Sequence, residues 1–462
     1  MTKTRHGVAP FGMRDKVGYL FGDFGNDFTF LLSSSFLLKF YTDVMGVAPW
    51  VVGLIMTVAR FVDAFTDVTM GRICDRSRPT PAGRFKPWIL RMCGPVAIAS
   101  FLIYQSSLSS MSMAFKIAWL AVTYILWGSV FYTSINIPYG SMASTITNSA
   151  EGRQSLSTFR SMGSALAGLI VGAGVPLFAY DTAGGETILN GPRFTLIAGI
   201  FSALSVVCYL LCYFLTTERI VREVRHTEHT STASLISRTV KNRALLSIVA
   251  ASVTMLLSQL TLQSMANYIY PNYYKNVTAQ SVSTVVMVLS LFAAAAVARP
   301  LAMRFGKAEI SACASLVAAG VSLLLFLLRP ASVWVYVGVT AVSFVGLGIF
   351  TMVSWALITD VIDDAEIRHG VREDGSIYAI YSFARKLGQA AAAGLSGGLL
   401  SLIGYSEDTA FSPDVLDGIY TVSTLLPAVG FGALGLILLF WYPLKRRAVE
   451  ENSRVLRERH GG

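Results

Sequence analysis

TTERIVREVRHTEHTSTASLISRTV, residues Thr216 to Val240, decides how this chain is divided. It is the longest polar stretch in a chain of 462 residues that is 53% hydrophobic and only 14% charged. A soluble domain carries nearer a quarter charged residues, so the chain reads as an all-α polytopic membrane protein. On either side of the stretch lie apolar runs long enough to cross about 30 Å of hydrocarbon at about 1.5 Å per residue. Six precede it, at roughly 17–44, 48–73, 86–105, 113–144, 154–180 and 192–215. Six follow, at roughly 244–270, 278–303, 309–328, 332–362, 375–404 and 415–442. That gives twelve spans in two six-helix bundles, over 1–215 and 244–443, with a central loop over 216–243 and a tail over 444–462.

The basic residues orient the spans. With the N-terminus inside, 28 Lys and Arg fall in cytoplasmic segments and 4 in loops on the other side. Both termini are therefore expected in the cytoplasm. The same distribution explains the net charge of +10 without nucleic acid, because no basic stripe is interleaved with aromatics. The partners expected are membrane lipids and a small solute. The cysteines, Cys74, Cys93, Cys208, Cys212 and Cys313, read as small apolar residues rather than a disulfide framework. The five histidines sit in loops or tails without metal-ligand spacing, and no cofactor is expected. The first sixteen residues lack a signal-peptide core, so the first span is read as retained.

Charges inside the spans carry the functional signal, since ionisable groups at membrane depth are costly and mark binding or coupling sites. The second span holds VARFVDAFTDV, Val58 to Val68, with Arg60, Asp63 and Asp67. Asp63 and Asp67 are four apart and share a helix face. Two carboxylates so placed repel, and each resists ionisation in low dielectric. A cation, a proton or Arg60 must offset that cost. The first span repeats the spacing in GDFGNDF, with Asp23, Asn26 and Asp27. The fourth holds Thr133, Asn136 and Pro138, the fifth Arg160, and the eleventh Tyr378, Tyr381, Arg385, Lys386 and Gln389. Arg385 and Lys386 point about 100° apart on a helix, so one of the two is expected to face a cavity. No histidine lies in a span and no GxSxG elbow appears, which argues against a membrane-embedded sugar-modifying enzyme. A transporter-like sensor would need a signalling domain, and the tail from Lys445 to Gly462 is too short for one.

Two equal halves of six spans are the plan of the major facilitator transporters. With these residues assembled, the sequence resembles the glycoside–pentoside–hexuronide:cation symporters, the family of the melibiose permease. The likeness rests on Asp27, ARFVDAFTDV with GRICDR after it, GRFKPW (Gly83 to Trp88), NIPYGS (Asn136 to Ser141) and DVIDDAEIRHGVREDG (Asp360 to Gly375). The resemblance implies cation binding, H⁺ or Na⁺, at Asp63 and Asp67 with help from Thr133. It implies sugar binding at Asp27, Arg160 and Lys386, with Asn136 and Tyr378 at the same site. Asn136 stands where the melibiose permease has an acid, and Gly140 where it has a stacking tryptophan. Losing a carboxylate while keeping Arg160, Arg385 and Lys386 favours an anionic sugar, and FARKLGQA is similar to the glucuronide carriers. The lead substrate is a hexuronide or glucuronide, with a neutral glycoside, galactoside or pentoside as the alternative. Alternating access is expected in a monomer of a bacterial inner membrane. Asp75, Arg76, Asp360, Asp364, Arg368 and Arg372 are the expected gating charges at the cytoplasmic ends.

Overall fold

A membrane leaves backbone N–H and C=O groups no water, so apolar runs that cross it close their hydrogen bonds within helices. The computed structural model describes residues 2–4, 9–77, 79–183, 185–222, 242–369 and 374–459. Most of the dividing loop therefore lies outside the described residues. The chain forms two compact units, Met1–Thr227 with Leu400–Ala410, and Glu228–Leu399 with Phe411–Gly462.

In the first unit the helices are α1 (Met13–Asp43), α2 (Pro49–Arg76), α3 (Lys86–Ile103), α4 (Met113–Ile125), α5 (Thr133–Ile146), α6 (Ala150–Leu169), α7 (Val175–Ala179) and α8 (Gly191–Leu215). Two π turns, Leu126–Tyr132 and Ile170–Gly174, join α4 to α5 and α6 to α7 without breaking the helical path. Strand β1 (Thr2–Thr4) pairs antiparallel with β4 (Ile220–Arg222), and β2 (Tyr180–Ala183) with β3 (Glu186–Leu189). Helix α1 packs against α6 and α8, and α2 against α5 and the first π turn.

The second unit holds α9 (Arg243–Tyr268), α10 (Val277–Phe305), α11 (Lys307–Leu328), α12 (Val333–His369), α13 (Asp374–Leu402, whose last residues group with the first unit), α14 (Pro413–Leu436) and α15 (Arg446–Arg459). Its core gathers Ile248, Met255, Phe350, Leu357, Tyr381 and Phe431. Helix starts follow local chemistry. Asn190, Asn242 and Asn276 each accept a backbone N–H from three residues on. The Asn276-Val277-Thr278 sequence is thus a helix start. Prolines open α2 and α14, where a missing N–H costs nothing.

The turn at 400–410 joins the first unit for a visible reason. The Tyr405 hydroxyl donates to Asp43 at 2.8 Å and accepts from the buried Lys39 ammonium at 2.9 Å. Lys39 also pairs with Asp43 at 2.7 Å. Before α3, the Glu218 carboxylate accepts the N–H groups of Arg84, Phe85 and Lys86 at 3.0, 2.8 and 2.8 Å. Gly83 makes that approach possible: its φ is +129°, and a Cβ there would stand 2.4 Å from Glu218.

Among the described residues, nine helical segments are long and apolar enough to cross a membrane. Large side chains such as Phe178, Phe292 and Phe440 lie exposed on them, as a lipid-facing surface requires. The other long helices, α1, α2 and α13, are those that carry Asp23 and Asp27, Arg60 with Asp63 and Asp67, and Arg385 with Lys386. Among the described residues no cysteine is in a disulfide.

Candidate functional site

The acid pair of α2 meets a matching pair of hydroxyls. Ser129 Oγ, in the first π turn, donates to Asp63 Oδ1 at 2.5 Å. Thr133 Oγ1, at the start of α5, donates to Asp67 Oδ1 at 2.9 Å and lies 3.2 Å from the Gly128 carbonyl. Arg60, one turn before Asp63, bonds its second oxygen at 3.2 Å and lies over the Phe30 ring at 5.1 Å. Arg60 is therefore a partner of the acid pair rather than an anchor at the membrane surface.

The acid pair of α1 is matched in the same way. Arg160 Nε donates to Asp23 Oδ1 at 2.9 Å, and Ser164 Oγ donates to Asp27 Oδ2. Both sites are thus two-rung ladders. Two acids four apart on one helix face two donors four apart on a neighbour, and rungs pair in ascending order on both. Equal i,i+4 spacing on both sides aligns both rungs at once. Glycine sets the approach in the α1 ladder. A Cβ on Gly163 would stand 2.4 Å from the Leu20 carbonyl oxygen, and one on Gly22 only 2.1 Å from the Tyr139 ring. Arg160 also lies over that ring at 5.4 Å.

Asn136 belongs to a third group. Its Oδ1 accepts from Asn26 at 3.3 Å, and Asn26 accepts from the buried Tyr209 hydroxyl at 2.8 Å. Tyr132 lies within electrostatic reach of Asp23, Asp27 and Arg160 of the α1 ladder and of Arg60 of the α2 ladder. It stacks on Phe30 at 5.7 Å. The first unit therefore holds Asp63, Asp67 and Thr133 in one ladder, Asp27 and Arg160 in the other, and Asn136 in the group with Asn26 and Tyr209. Asp23, one turn before Asp27, is the partner of Arg160.

In the second unit, Arg385 lies over the Trp355 and Tyr381 rings at 5.7 and 5.8 Å, a cation–π setting that holds its charge. Lys386 is half-buried on the same helix. The side chains of Tyr378 and Asp75, and all of Arg372, lie outside the described residues. Arg76 is exposed at the last turn of α2. Asp360 pairs with Lys307 at 2.5 Å, and Asp364 with Arg368 at 2.8 Å and with Asn452 of α15 at 3.4 Å. These partners all lie in the same unit. Among the described residues, no cluster of His, Cys, Asp or Glu has the make-up of a metal centre.

Ser129, Ser164 and Tyr209 carry the site and were not singled out in the sequence. Ser129 and Ser164 had a usable signal: each lies four residues from a residue already marked, Thr133 or Arg160. Tyr209 offers none, since a tyrosine in an apolar span is usually packing.

Comparison with known proteins adds the family context. A family model described as MFS/sugar transport protein matches residues 18–446. The chain is 30% identical to the glucuronide carrier protein homolog of Escherichia coli strain K12, over 95% of this chain and 94% of that one. It is 29% identical to the isoprimeverose transporter of Lactiplantibacillus pentosus, over 92% and 88%. The crystal structure of the D-xylose-proton symporter superposes with a TM-score of 0.60 at 12% identity, over 93% and 97% of the two chains. That last likeness speaks for the fold.

Proposed function

This chain belongs to the MFS/sugar transport protein family and is a multi-pass membrane sugar transporter, and from that premise we propose that it is a cation-coupled symporter working by alternating access. The observation that carries this reading is the chemical difference between the two ladders. The α2 ladder faces its acids with hydroxyls. A hydroxyl donates to a carboxylate, but it also has lone pairs and can turn to face a cation. The α1 ladder faces its acids with a guanidinium and a hydroxyl. A guanidinium only donates, which suits sugar oxygens, while Asp23 and Asp27 accept from sugar hydroxyls.

The proposed cycle starts with H⁺ or Na⁺ at Asp63 and Asp67, assisted by Thr133. The bound charge offsets the acid pair, and sugar then binds at Asp27, Asn136 and Arg160, with Lys386 and Tyr378 contributed by α13. Coupling is reciprocal, since each ligand must raise the affinity for the other by the same factor. Asp360, Asp364, Arg368 and Arg372, with Asp75 and Arg76, are the charges proposed to re-pair as the carrier reorients. The basic-residue count supports cytoplasmic termini in a bacterial inner membrane, and a monomer suffices for this cycle.

The lead substrate is a hexuronide or glucuronide. Support comes from Asn136 in place of an acid, from Arg385 and Lys386 on α13, and from the relative that carries glucuronide in its name. A neutral glycoside is the second reading, favoured by one observation: Arg160 is already matched by Asp23. Uptake into proteoliposomes, with sugars crossed against independent Na⁺ and pH gradients, tests both. Accumulation of a glucuronide under one gradient supports the lead. Uptake of a neutral glycoside that glucuronides do not compete for overturns it.

A further inference from the structure

We propose that Ser129 is a positioning residue for the coupling cation, a second hydroxyl that sets the cation dependence of transport alongside Thr133. The inference rests on reading the Asp63–Asp67 ladder as the cation site. Three features of Ser129 support it. The side chain is 1% exposed, and an alcohol so deeply buried needs a polar partner. Its partner is Asp63 Oδ1 at 2.5 Å, with the Ala59 carbonyl, one helical turn earlier, 3.4 Å away. And it lies inside a π turn, an element that is rare in α-helices and gathers at functional sites.

The geometry gives Ser129 a task that Thr133 does not perform. Asp63 is held from two sides, by Arg60 on one oxygen and Ser129 on the other. Arg60 holds Asp63 from its own helix, and the Ser129 hydroxyl holds it from the neighbouring π turn. If a proton or metal cation enters, Ser129 can release Asp63 and turn its lone pairs inward, as Thr133 can beside Asp67. Removing the hydroxyl takes this hydrogen bond from Asp63, so the cost falls on cation binding and not on the α1 ladder, whose acids bond Arg160 and Ser164.

The test uses the full chain in proteoliposomes, with Ser129→Ala, Ser129→Thr and Asp67→Asn beside the unchanged protein. Cation half-saturation, the pH profile of uptake, sugar KM and sugar counterflow are measured for each. Ser129→Ala should raise the cation half-saturation roughly tenfold, the scale of one hydrogen bond to a charged group, and shift the pH profile. Sugar KM and counterflow at saturating cation should stay within about twofold, and Ser129→Thr should restore the cation response. The inference is overturned if Ser129→Ala keeps the unchanged protein's cation response while Asp67→Asn abolishes accumulation. It is equally overturned if Ser129→Ala lowers cation and sugar affinity together and Ser129→Thr does not rescue, because that is the mark of lost packing. Should Asp67→Asn itself accumulate sugar normally, the cation-site reading falls, and this inference with it.

Discussion

The two ladders share a plan and differ in one partner. Each puts two aspartates four apart against two donors four apart, and each contains one arginine. In the α1 ladder the arginine comes from the neighbouring helix, so an ion pair joins α1 to α6. In the α2 ladder it comes from α2 itself, three residues before Asp63, and the contacts to the neighbouring helix are neutral. In each cluster one arginine pairs with one of the two acids. On the proposed reading, the α2 ladder can take a cation by turning its hydroxyls. The α1 ladder cannot, and its charged groups remain available to a polar ligand that both donates and accepts. Identical spacing thus supports different chemistry because of where the arginine is anchored.

The largest expected effect separates the ladders outright. Asp67→Asn should abolish uphill accumulation while leaving sugar counterflow measurable. Asp27→Asn should act on the sugar instead, raising its KM by an order of magnitude or more while the cation half-saturation holds, since one of two charged acceptor oxygens for sugar hydroxyls becomes a neutral donor. If both variants lose accumulation and keep sugar KM, the division of labour is wrong. A milder test moves to the rungs. Thr133→Ala should shift cation half-saturation and Ser164→Ala sugar KM, each by roughly tenfold. Crossed results would exchange the two assignments.

Packing offers the next test. Gly163→Leu would press a side chain into the Leu20 backbone, where even a Cβ stands 2.4 Å from the carbonyl oxygen. Forcing α6 from α1 pulls both rungs of that ladder apart and costs about 1–3 kcal/mol of overpacking. The purified variant should melt several degrees lower, and lose sugar affinity with little change in cation half-saturation. Equal loss of both affinities would show that the ladders are not separable mechanically.

How much of this was legible beforehand follows from the same physics. Helices and the membrane class were visible because hydropathy is a property of each segment by itself. The acids were visible because a charge in an apolar run has no bland explanation. Their partners were harder. Ser129 and Ser164 are small, neutral and common in membrane helices, and only proximity to Asp63 and Asp27 gives them meaning. The pairing of Arg160 with Asp23 rather than with a ligand depends on how near α6 comes to α1, which Gly163 decides. The π turn at Leu126–Tyr132 left no trace in the hydrophobic period, and the attachment of Tyr405 to Lys39 and Asp43 joins residues more than 360 apart.

The smallest expected effect concerns a carboxylate outside both ladders and outside the spans. Glu407, in the turn that carries Tyr405, has its carboxyl pushed above the ordinary glutamate range by burial first, then by the carboxylates of Asp43 and Asp408, with Lys116 opposing. The folded protein therefore holds this proton more tightly than the unfolded chain. The stabilisation is fully present below the ordinary glutamate value of about 4.3 and is lost as pH rises through the higher folded value. Glu407 is largely exposed, so solvent screens the effect and the melting temperature should fall by no more than about 1 °C as pH rises from about 4 to about 6. Glu407→Gln should flatten that part of the slope and leave both cation half-saturation and sugar KM unchanged. A change in either transport constant would extend the proposed coupling to this turn. An unchanged slope would assign the pH dependence to other carboxylates.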